Sequence, residues 1–589
     1  MILQALVDYY EALAQKGEIA RPGWAKVKVS YALEIDEDGQ LLQVHPLKTE
    51  VEGSKKAKPR EMMLPAPIVR TAGIGANFLY DNAAYLLGID GKGNPARAAK
   101  CFEEAKNLHK SLLGGLADPF AKAICNYFEN WEISCARENV EVSKYVEDIE
   151  KGSNLVFMMD GAYPCENKAL SQAWQTHYDC EDGEGAKMRC LITGEEIVPG
   201  SIHPSIKGVW GAQSSGATLI SFNAPAYCSY HREQNSNAPV GKYAAFAYTT
   251  ALNHLLAEKG HVKRMGDTTL VYWAEDAEPV YQDAFSSFLD GGNAENPMTD
   301  GDMDSYMDAI SKGNAADWGG IPLNPANRFY VLGLAPNAAR LSVRFFLRDE
   351  FGGFVGHIQE HYKNLEIVSD NRSRFQNIPV WALLHETVNE KSNDKSSSPQ
   401  MTGDTLRAIL TGGRYPATLY QRTQLRIKAE RTITRGRAAI IKAYLIRNTD
   451  VENYKGALQV ELNERTTYQP YVLGRLFSVA EAIQEKASGV TTIKDRYFSS
   501  AGTTPAVVFP IILKLAETHL KKLDGGMRVY YAKQLGELVG LIRESYPKHY
   551  GLYEQGIFQL GYYHQTQKRY EKKEKPENTA NTEENKEGK

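Results

Sequence analysis

The chain has 589 residues, 43% of them hydrophobic and 24% charged, with a formal net charge of −4. That balance belongs to a folded soluble protein, and the length exceeds what one ordinary hydrophobic core can hold, so several domains are expected. No global basic excess advertises nucleic acid, so any polyanion site has to be a local patch.

The N-terminus reads as an amphipathic helix with Ile2, Leu3, Leu6, Val7 and Tyr10 on one stripe, not as a signal peptide. From residue 24 to 47 apolar and polar residues alternate (Val27, Val29, Tyr31, Leu33, Ile35), with Asp36-Glu37-Asp38-Gly39 as a hairpin turn and Leu41, Leu42 and Val44 resuming the strand. A flexible basic loop, Gly53 to Lys58, interrupts this pattern, and Ala98 to Glu147 has helical spacing. Leu155 to Met159 returns to strand and leads into a Gly-rich stretch that ends near Asn223. Tyr243 to Leu256 is predicted as helix and Thr268 to Trp273 as strand. The Asp-, Gly- and Asn-rich composition of residues 281–320 predicts a long surface loop, followed by strands at Phe329–Leu334 and Ser342–Phe346.

After Glu360 the pattern is mainly helical, and Leu476–Ala487, Ala506–Leu523 and Met527–Ser545 each carry one apolar stripe at 3.6-residue spacing. The expected fold is therefore α+β: a mixed N-terminal body with antiparallel strands, then a C-terminal helical bundle and a disordered tail. The regions are an N-terminal α+β part (1–150), an α+β core with polar Gly-rich loops (151–360), a basic helical part (361–467), the bundle (468–567) and the tail (568–589). No apolar stretch approaches the roughly 18 residues that span a bilayer, so a soluble, cytoplasmic protein is expected.

Motifs for catalysis are missing. The sequence has no phosphate-binding P-loop, no dinucleotide fingerprint and no metalloprotease helix; His385-Glu386 lacks the second histidine that motif needs. Gly211 to Gly216 matches a nucleophile elbow only loosely. Seven cysteines include no C-x-x-C pair. Cys165, His177, Cys180, Cys190, His203, Cys228 and His231 fall close together in sequence, but without a second tight pair they read as buried thiols rather than a zinc site, and no metal or cofactor is expected. The expectation is a binding protein, not an enzyme. A stand-alone hydrolase or nuclease using His203, Asp179 and Cys190, or a purely structural scaffold, are the rival readings.

Three stretches carry more specific text. The first runs Arg70-Thr-Ala-Gly-Ile-Gly-Ala-Asn-Phe-Leu-Tyr-Asp-Asn-Ala-Ala-Tyr-Leu-Leu-Gly88. The second extends from Cys190-Leu-Ile-Thr-Gly through His203-Pro-Ser-Ile-Lys-Gly208 and Ser221-Phe-Asn-Ala-Pro-Ala-Tyr to Asn235-Ser-Asn-Ala-Pro239. The third comprises Ala480-Glu-Ala-Ile-Gln484, Asp495-Arg-Tyr-Phe498, Thr504-Pro-Ala-Val-Val-Phe509 and Leu560-Gly-Tyr-Tyr-His-Gln565. Together, and in this order, they resemble the large subunit of type I-C CRISPR Cascade complexes over nearly the whole chain. One departure is His231, where the pattern has a glycine after Ser229-Tyr230.

The resemblance implies a subunit that reads a protospacer-adjacent motif (PAM) in duplex DNA, starts strand separation and R-loop formation, and helps recruit a helicase-nuclease. The implied partners are crRNA-bound backbone subunits, target double-stranded DNA, the displaced strand, a small subunit and the helicase-nuclease, with no membrane. It also implies that the part from about Tyr468 onward can be made separately by internal translation.

The resemblance places motif reading in the N-terminal part. There Gly73 and Gly75 allow close backbone approach and Asn77 carries a donor and an acceptor for base edges; the alternative is that Asn77 caps a helix starting at Phe78. Gln213, Ser214, Ser215, Asn223, Ser229, Asn235 and Asn237 form a second uncharged polar set that suits edge readout, or equally ordinary turns. Trp210, Phe222, Tyr227 and Tyr230 are candidates for stacking or for core. For the phosphates, Lys55, Lys56 and Lys58, with Arg60, form a small patch. A larger one puts nine cations between Arg414 and Arg447, including Arg422, Arg426, Lys428, Arg431, Arg435, Arg437 and Lys442, with only Glu430 opposing. Lys494, Arg496, Lys521 and Lys522 are further candidates for touching the displaced strand.

Overall fold

The computed structural model describes residues 1–49, 57–68, 70, 73–91, 93–180, 186–200, 202–291, 300–369, 375–393, 396–454 and 456–570. The chain forms two compact units. One comprises Met1–Glu258, Glu275–Ala277 and Pro336–Ser342; the other comprises Lys259–Ala274, Glu278–Ala335 and Val343–Lys589.

In the first unit, the opening helix Ile2–Lys16 buries Ala5, Leu6, Val7, Tyr9, Tyr10 and Leu13 and ends at Gly17 in the left-handed conformation. The Tyr10 ring meets Tyr243 and Phe246 of the helix Lys242–Ala257 edge-on. The strands Tyr31–Ile35 and Leu41–Pro46 form the expected hairpin. Gly39 closes it at φ 78°, and a Cβ there would lie 2.3 Å from the Tyr127 amide nitrogen, so only glycine fits.

The sheet runs Leu41–Pro46, Tyr31–Ile35, Asn154–Met158, Tyr80–Asn82. Its central pairing, Tyr31 opposite Leu155, is parallel, while the outer pairings are antiparallel. Helices Pro95–Leu113 and Pro119–Asn130 cover it, each opened by a side-chain cap (Asn94, Asp118) with proline in the first turn. Phe78, Phe102, Tyr127, Phe128, Phe157 and Trp174 form the core between them. Beyond Met188 the chain is largely irregular up to Gly241, pinned by isolated bridges between Ile206 and Ala217 and between Thr218 and Arg340.

A second sheet, in the second unit except for Pro336–Ser342, is ordered Arg340–Glu350, Arg328–Asn337, Thr268–Ala274, Val262–Met265, antiparallel where strands Thr268–Ala274, Arg328–Asn337 and Val262–Met265 pair. One hydrophobic core runs from Met265 in this sheet to Tyr563 in the last helix. Residues 281–320 are not the surface loop their composition suggested. They supply the helices Pro279–Leu289 and Asp300–Ser311 and the strands Ala316–Trp318 and Ile321–Leu323, with residues 292–299 outside the described set. Tyr281, Phe285, Phe288 and Leu289, then Met303, Met307 and Ile310, keep helical spacing and enter the core. Their periodicity outweighs the polar composition around them.

The C-terminal part is helical: Gln469–Ser488, Thr492–Ala501, Pro505–Leu520, Gly525–Leu541 and Leu552–Lys568. The first and last of these touch backbone to backbone. A Cβ on Gly474 would lie 2.0 Å from the Phe558 carbonyl oxygen, and one on Gly561 would lie 2.1 Å from that of Tyr471. The expected tail starts at residue 568, but Lys568 still belongs to the last helix, and residues 571–589 lie outside the described residues. Among the described residues, no helix is long and apolar enough to cross a membrane.

Candidate nucleic-acid interface

The residues singled out from sequence fall into three structural settings. The first is the loop that leads into Tyr80–Asn82. Asn77 is 7% exposed, and its side-chain oxygen accepts the Ile68 amide at 3.0 Å, tying the two ends of the loop together. It does not cap a helix, because the following residues enter a strand. Beneath it lies Asp81, 1% exposed, whose carboxylate holds the Arg70 guanidinium and the Asn77 amide. Burial pushes the Asp81 carboxyl up, opposed by Arg70 and by two backbone N–H donors. Arg70 also donates to the Gly75 carbonyl and stacks on Tyr85, 4.1 Å from the ring centre. A Cβ on Gly75 would lie 2.5 Å from Ile68 Cδ1, so that glycine serves packing; Gly73 is exposed, and a Cβ there would meet nothing within 4 Å. Thr71 and Ala72 lie outside the described residues, as do Lys55 and Lys56 of the small basic patch. Lys58 is exposed, and Arg60 covers the Tyr163 ring.

The second setting is the irregular stretch from Gly200 to Asn237. Gln213, Ser214 and Ser215 form an exposed tip between Gly211 (φ 77°) and Gly216 (φ 104°), both in the left-handed region. The other members of the polar set build a frame instead. Asn237 accepts the Ser229 amide at 2.9 Å and donates to the Arg232 and Gln234 carbonyls. Asn235, 3% exposed, donates to the Gly200 carbonyl at 2.6 Å. Asn223 accepts from Arg340, whose guanidinium lies 4.2 Å from the Tyr227 ring centre.

What this frame holds outward is Tyr230, His231 and Arg232, all exposed, with Tyr230 at 91%. Tyr230 (φ 54°) and His231 (φ 57°) are consecutive non-glycine residues in the left-handed region. A bulky side chain there costs on the order of 1–3 kcal/mol, and such strain concentrates at binding sites. The glycine missing after Tyr230 was the sequence signal for this turn. The position demands a positive φ, and histidine adopts it.

The third setting is the cation run, which two helices divide. On Ala417–Glu430, Arg422 and Lys428 are exposed, and Arg426 meets Glu430 at 3.4 Å. Arg431 follows in the left-handed conformation (φ 54°) and reaches Asp495 at 3.5 Å, with both side chains largely in solvent. On Arg435–Asn448 the cations turn inward. Arg435 donates to the Phe375 and Gln376 carbonyls. Arg437 is 5% exposed and held by the Thr432 carbonyl, Glu430 and Glu386. Lys442 is 3% exposed, donates to the Asn364 carbonyl, and is pushed down to about 8 by burial. Arg447 donates to the carbonyls of Ala408 and Gly413 and covers the Tyr415 ring.

The cysteine and histidine text has a different use. The Cys190 sulfur accepts the backbone amides of Ile192, Thr193 and Gly241, which with the Thr193 side chain outweigh burial and hold its thiol below the usual range. His203, 2% exposed, bonds Tyr248 through Nδ1 and is pushed down to about 4 by burial. Among the described residues, no three His, Cys, Asp or Glu side chains are grouped so as to hold a metal ion.

The profile of one protein family, CRISPR-associated protein (Cas_Csd1), matches residues 6–570. The chain belongs to that family. It is the family of the type I-C Cascade large subunit, which is the resemblance carried by the Arg70–Gly88, Cys190–Pro239 and Ala480–Gln565 text. No curated protein matches the chain.

Proposed function

We propose that this chain is the DNA-recognising large subunit of a type I-C Cascade: it binds target duplex DNA, reads the protospacer-adjacent motif, helps open the duplex into an R-loop and helps recruit the helicase-nuclease, without catalysing a reaction itself. The observation that carries this reading is the turn at Ser229–Asn237. A hydrogen-bonded amide frame holds an almost fully exposed tyrosine, flanked by His231 and Arg232, in a strained and therefore pre-set conformation. An aromatic ring presented in this way suits stacking on a base at the point where pairing ends, and the adjacent cation suits a phosphate.

In this reading Gln213, Ser214 and Ser215 are the uncharged edge readers, and Gly73 allows the backbone of its loop to approach a groove. Asn77 acts as a positioning residue that sets the shape of its loop. Arg422, Lys428 and Arg431, with Arg426, supply phosphate contacts in the second unit; in the first, Lys58 does so, with Lys55 and Lys56, which lie outside the described residues.

The test is duplex binding by the assembled, guide-loaded complex over a panel of flanking trinucleotides. Replacing Gln213, Ser214 and Ser215 together by alanine is expected to flatten discrimination among flanks, as is Asn77→Ala through its loop, while guide-dependent binding to unpaired DNA persists. Unchanged discrimination in both variants would remove these loops from motif reading.

A further inference from the structure

Within the second unit a cavity of about 320 Å³ opens where three helices converge: Ala417–Glu430, Thr492–Ala501 and Leu552–Lys568. Its lining contains no acidic residue. Gln421, Gln424, Leu425 and Lys428 contribute one face of the first helix at i, i+3, i+4 and i+7 spacing; Leu552, Gln555, Phe558 and Gln559 contribute the same kind of stripe from the last. Ser499 and Thr503 add hydroxyls.

The polar groups are amides, and they are arranged. Gln424 and Gln559, each 8% exposed, exchange two hydrogen bonds of 2.9 and 2.7 Å, a cyclic amide pair. The Gln424 amide also donates to the Tyr420 hydroxyl, which fixes the pair in place. Gln555 is fixed by donating to the Tyr550 carbonyl at 3.0 Å. Leu425 and Leu552 stand at the mouth, 59% and 42% exposed, although both are large apolar side chains. Phe498 and Phe558, both buried, form the floor.

A flat ligand with apolar faces and a rim of mixed donors and acceptors fits this lining. That is the chemistry of a nucleobase, and the volume lies at the lower end of small-ligand sites. The helix that lines the cavity also carries Arg422 and Arg426 one turn apart and roughly 100° around the axis from Gln421 and Leu425, beside the mouth rather than in it. We infer that this cavity takes up an unstacked base of a single-stranded segment whose phosphates lie along Arg422, Arg426 and Lys428. The inference rests on the nucleic-acid reading above and adds a site for the base itself.

The test uses the purified full-length chain and two single-stranded oligonucleotides of equal length, one carrying 2-aminopurine and one abasic throughout, titrated over a range of salt. Ser499→Phe fills the cavity from a half-buried position; Gln421→Ala removes an exposed amide at the rim and leaves the fold untouched, so it carries the test if the first variant misfolds. Both are expected to weaken binding of the 2-aminopurine strand about tenfold and to abolish its fluorescence change, with abasic binding and the salt slope unchanged. Arg422→Ala is expected to weaken both strands and lower the slope.

Wild-type behaviour of both cavity variants on both strands would overturn the inference while leaving the phosphate track standing. If wild type bound neither strand and Arg422→Ala changed nothing, the nucleic-acid reading itself would fail, and this site with it. Loss of assembly with backbone subunits in Gln421→Ala, at unchanged strand binding, would make the cavity a protein socket and equally overturn the inference.

Discussion

The helix Ala417–Glu430 holds Arg422 and Lys428 in solvent and Arg426 against the Glu430 carboxylate, whereas the next helix, Arg435–Asn448, takes Arg437 and Lys442 into the core. In sequence the two read alike, as one basic run. In the fold they differ because the second helix buries every residue from Gly436 to Leu445, so its cations are surrounded by carbonyls and carboxylates. The first buries only Leu419, Tyr420, Thr423, Gln424 and Ile427 and leaves the rest of its circumference open. A density of arginines therefore measures two things at once: charge offered to a partner, and charge used to tie helices together. Only the burial of the apolar residues between them separates the two.

The sharpest contrast lies at Arg437. Removing its guanidinium leaves the part-buried Glu386 carboxylate without its cation, while the exposed Glu430 keeps Arg426, and Arg437→Ala is expected to destabilise the second unit by about 3 kcal/mol in denaturant unfolding. A variant that unfolds like wild type would place Arg437 with the solvent cations.

Lys442 is next in size. Its folded pKa lies below the free value of 10.5, so the folded state resists protonation, and that destabilisation is complete below about pH 8. Lys442→Met is expected to raise the melting temperature most at pH 7 and progressively less as pH approaches 10.5. A gain independent of pH would mean that packing, not desolvated charge, is responsible.

Arg422→Ala should leave stability within about 0.5 kcal/mol, as surface substitutions do. It should also lower DNA affinity severalfold and the salt slope by about one unit. If it instead cost stability and spared binding, the division between the two helices would be reversed. The smallest loss of stability belongs to Arg431→Gly. Glycine relieves a left-handed non-glycine residue, so stability should hold or rise by up to about 1 kcal/mol, while DNA binding falls as it does for Arg431→Ala. Equal binding by wild type and Arg431→Gly would show that the arginine is kept there for its bond to Asp495.

Much of the fold was legible. The Asp36–Gly39 turn and the apolar stripes of Leu476–Ala487 and Ala506–Leu523 are local signals, and local geometry follows from them, whereas the alternation at Val27–Ile35 breaks at Ser30 into the strands Trp24–Val29 and Tyr31–Ile35 of two different sheets. Composition misled at residues 281–320, where polar residues masked the spacing of Phe285, Phe288, Met303 and Met307. The site was legible only in part. The uncharged set Asn223, Ser229, Asn235 and Asn237 was visible as one polar text, but whether an asparagine faces out or holds a turn depends on partners such as Gly200 and Arg340, distant in sequence. Arg437 and Lys442 were hidden for the same reason. The cavity beside Gln424 requires Gln559, 135 residues away, and no local pattern announces that pairing.

The most direct measurement is strand opening by the assembled complex on a matched duplex, read from 2-aminopurine placed at the first base pair beside the flanking motif, with Tyr230→Ala compared with wild type. Loss of opening in Tyr230→Ala, restored when that base pair is unpaired in advance, is the expected result. Opening at the wild-type rate on the intact duplex would contradict the placement of the Ser229–Asn237 turn at the point of strand separation.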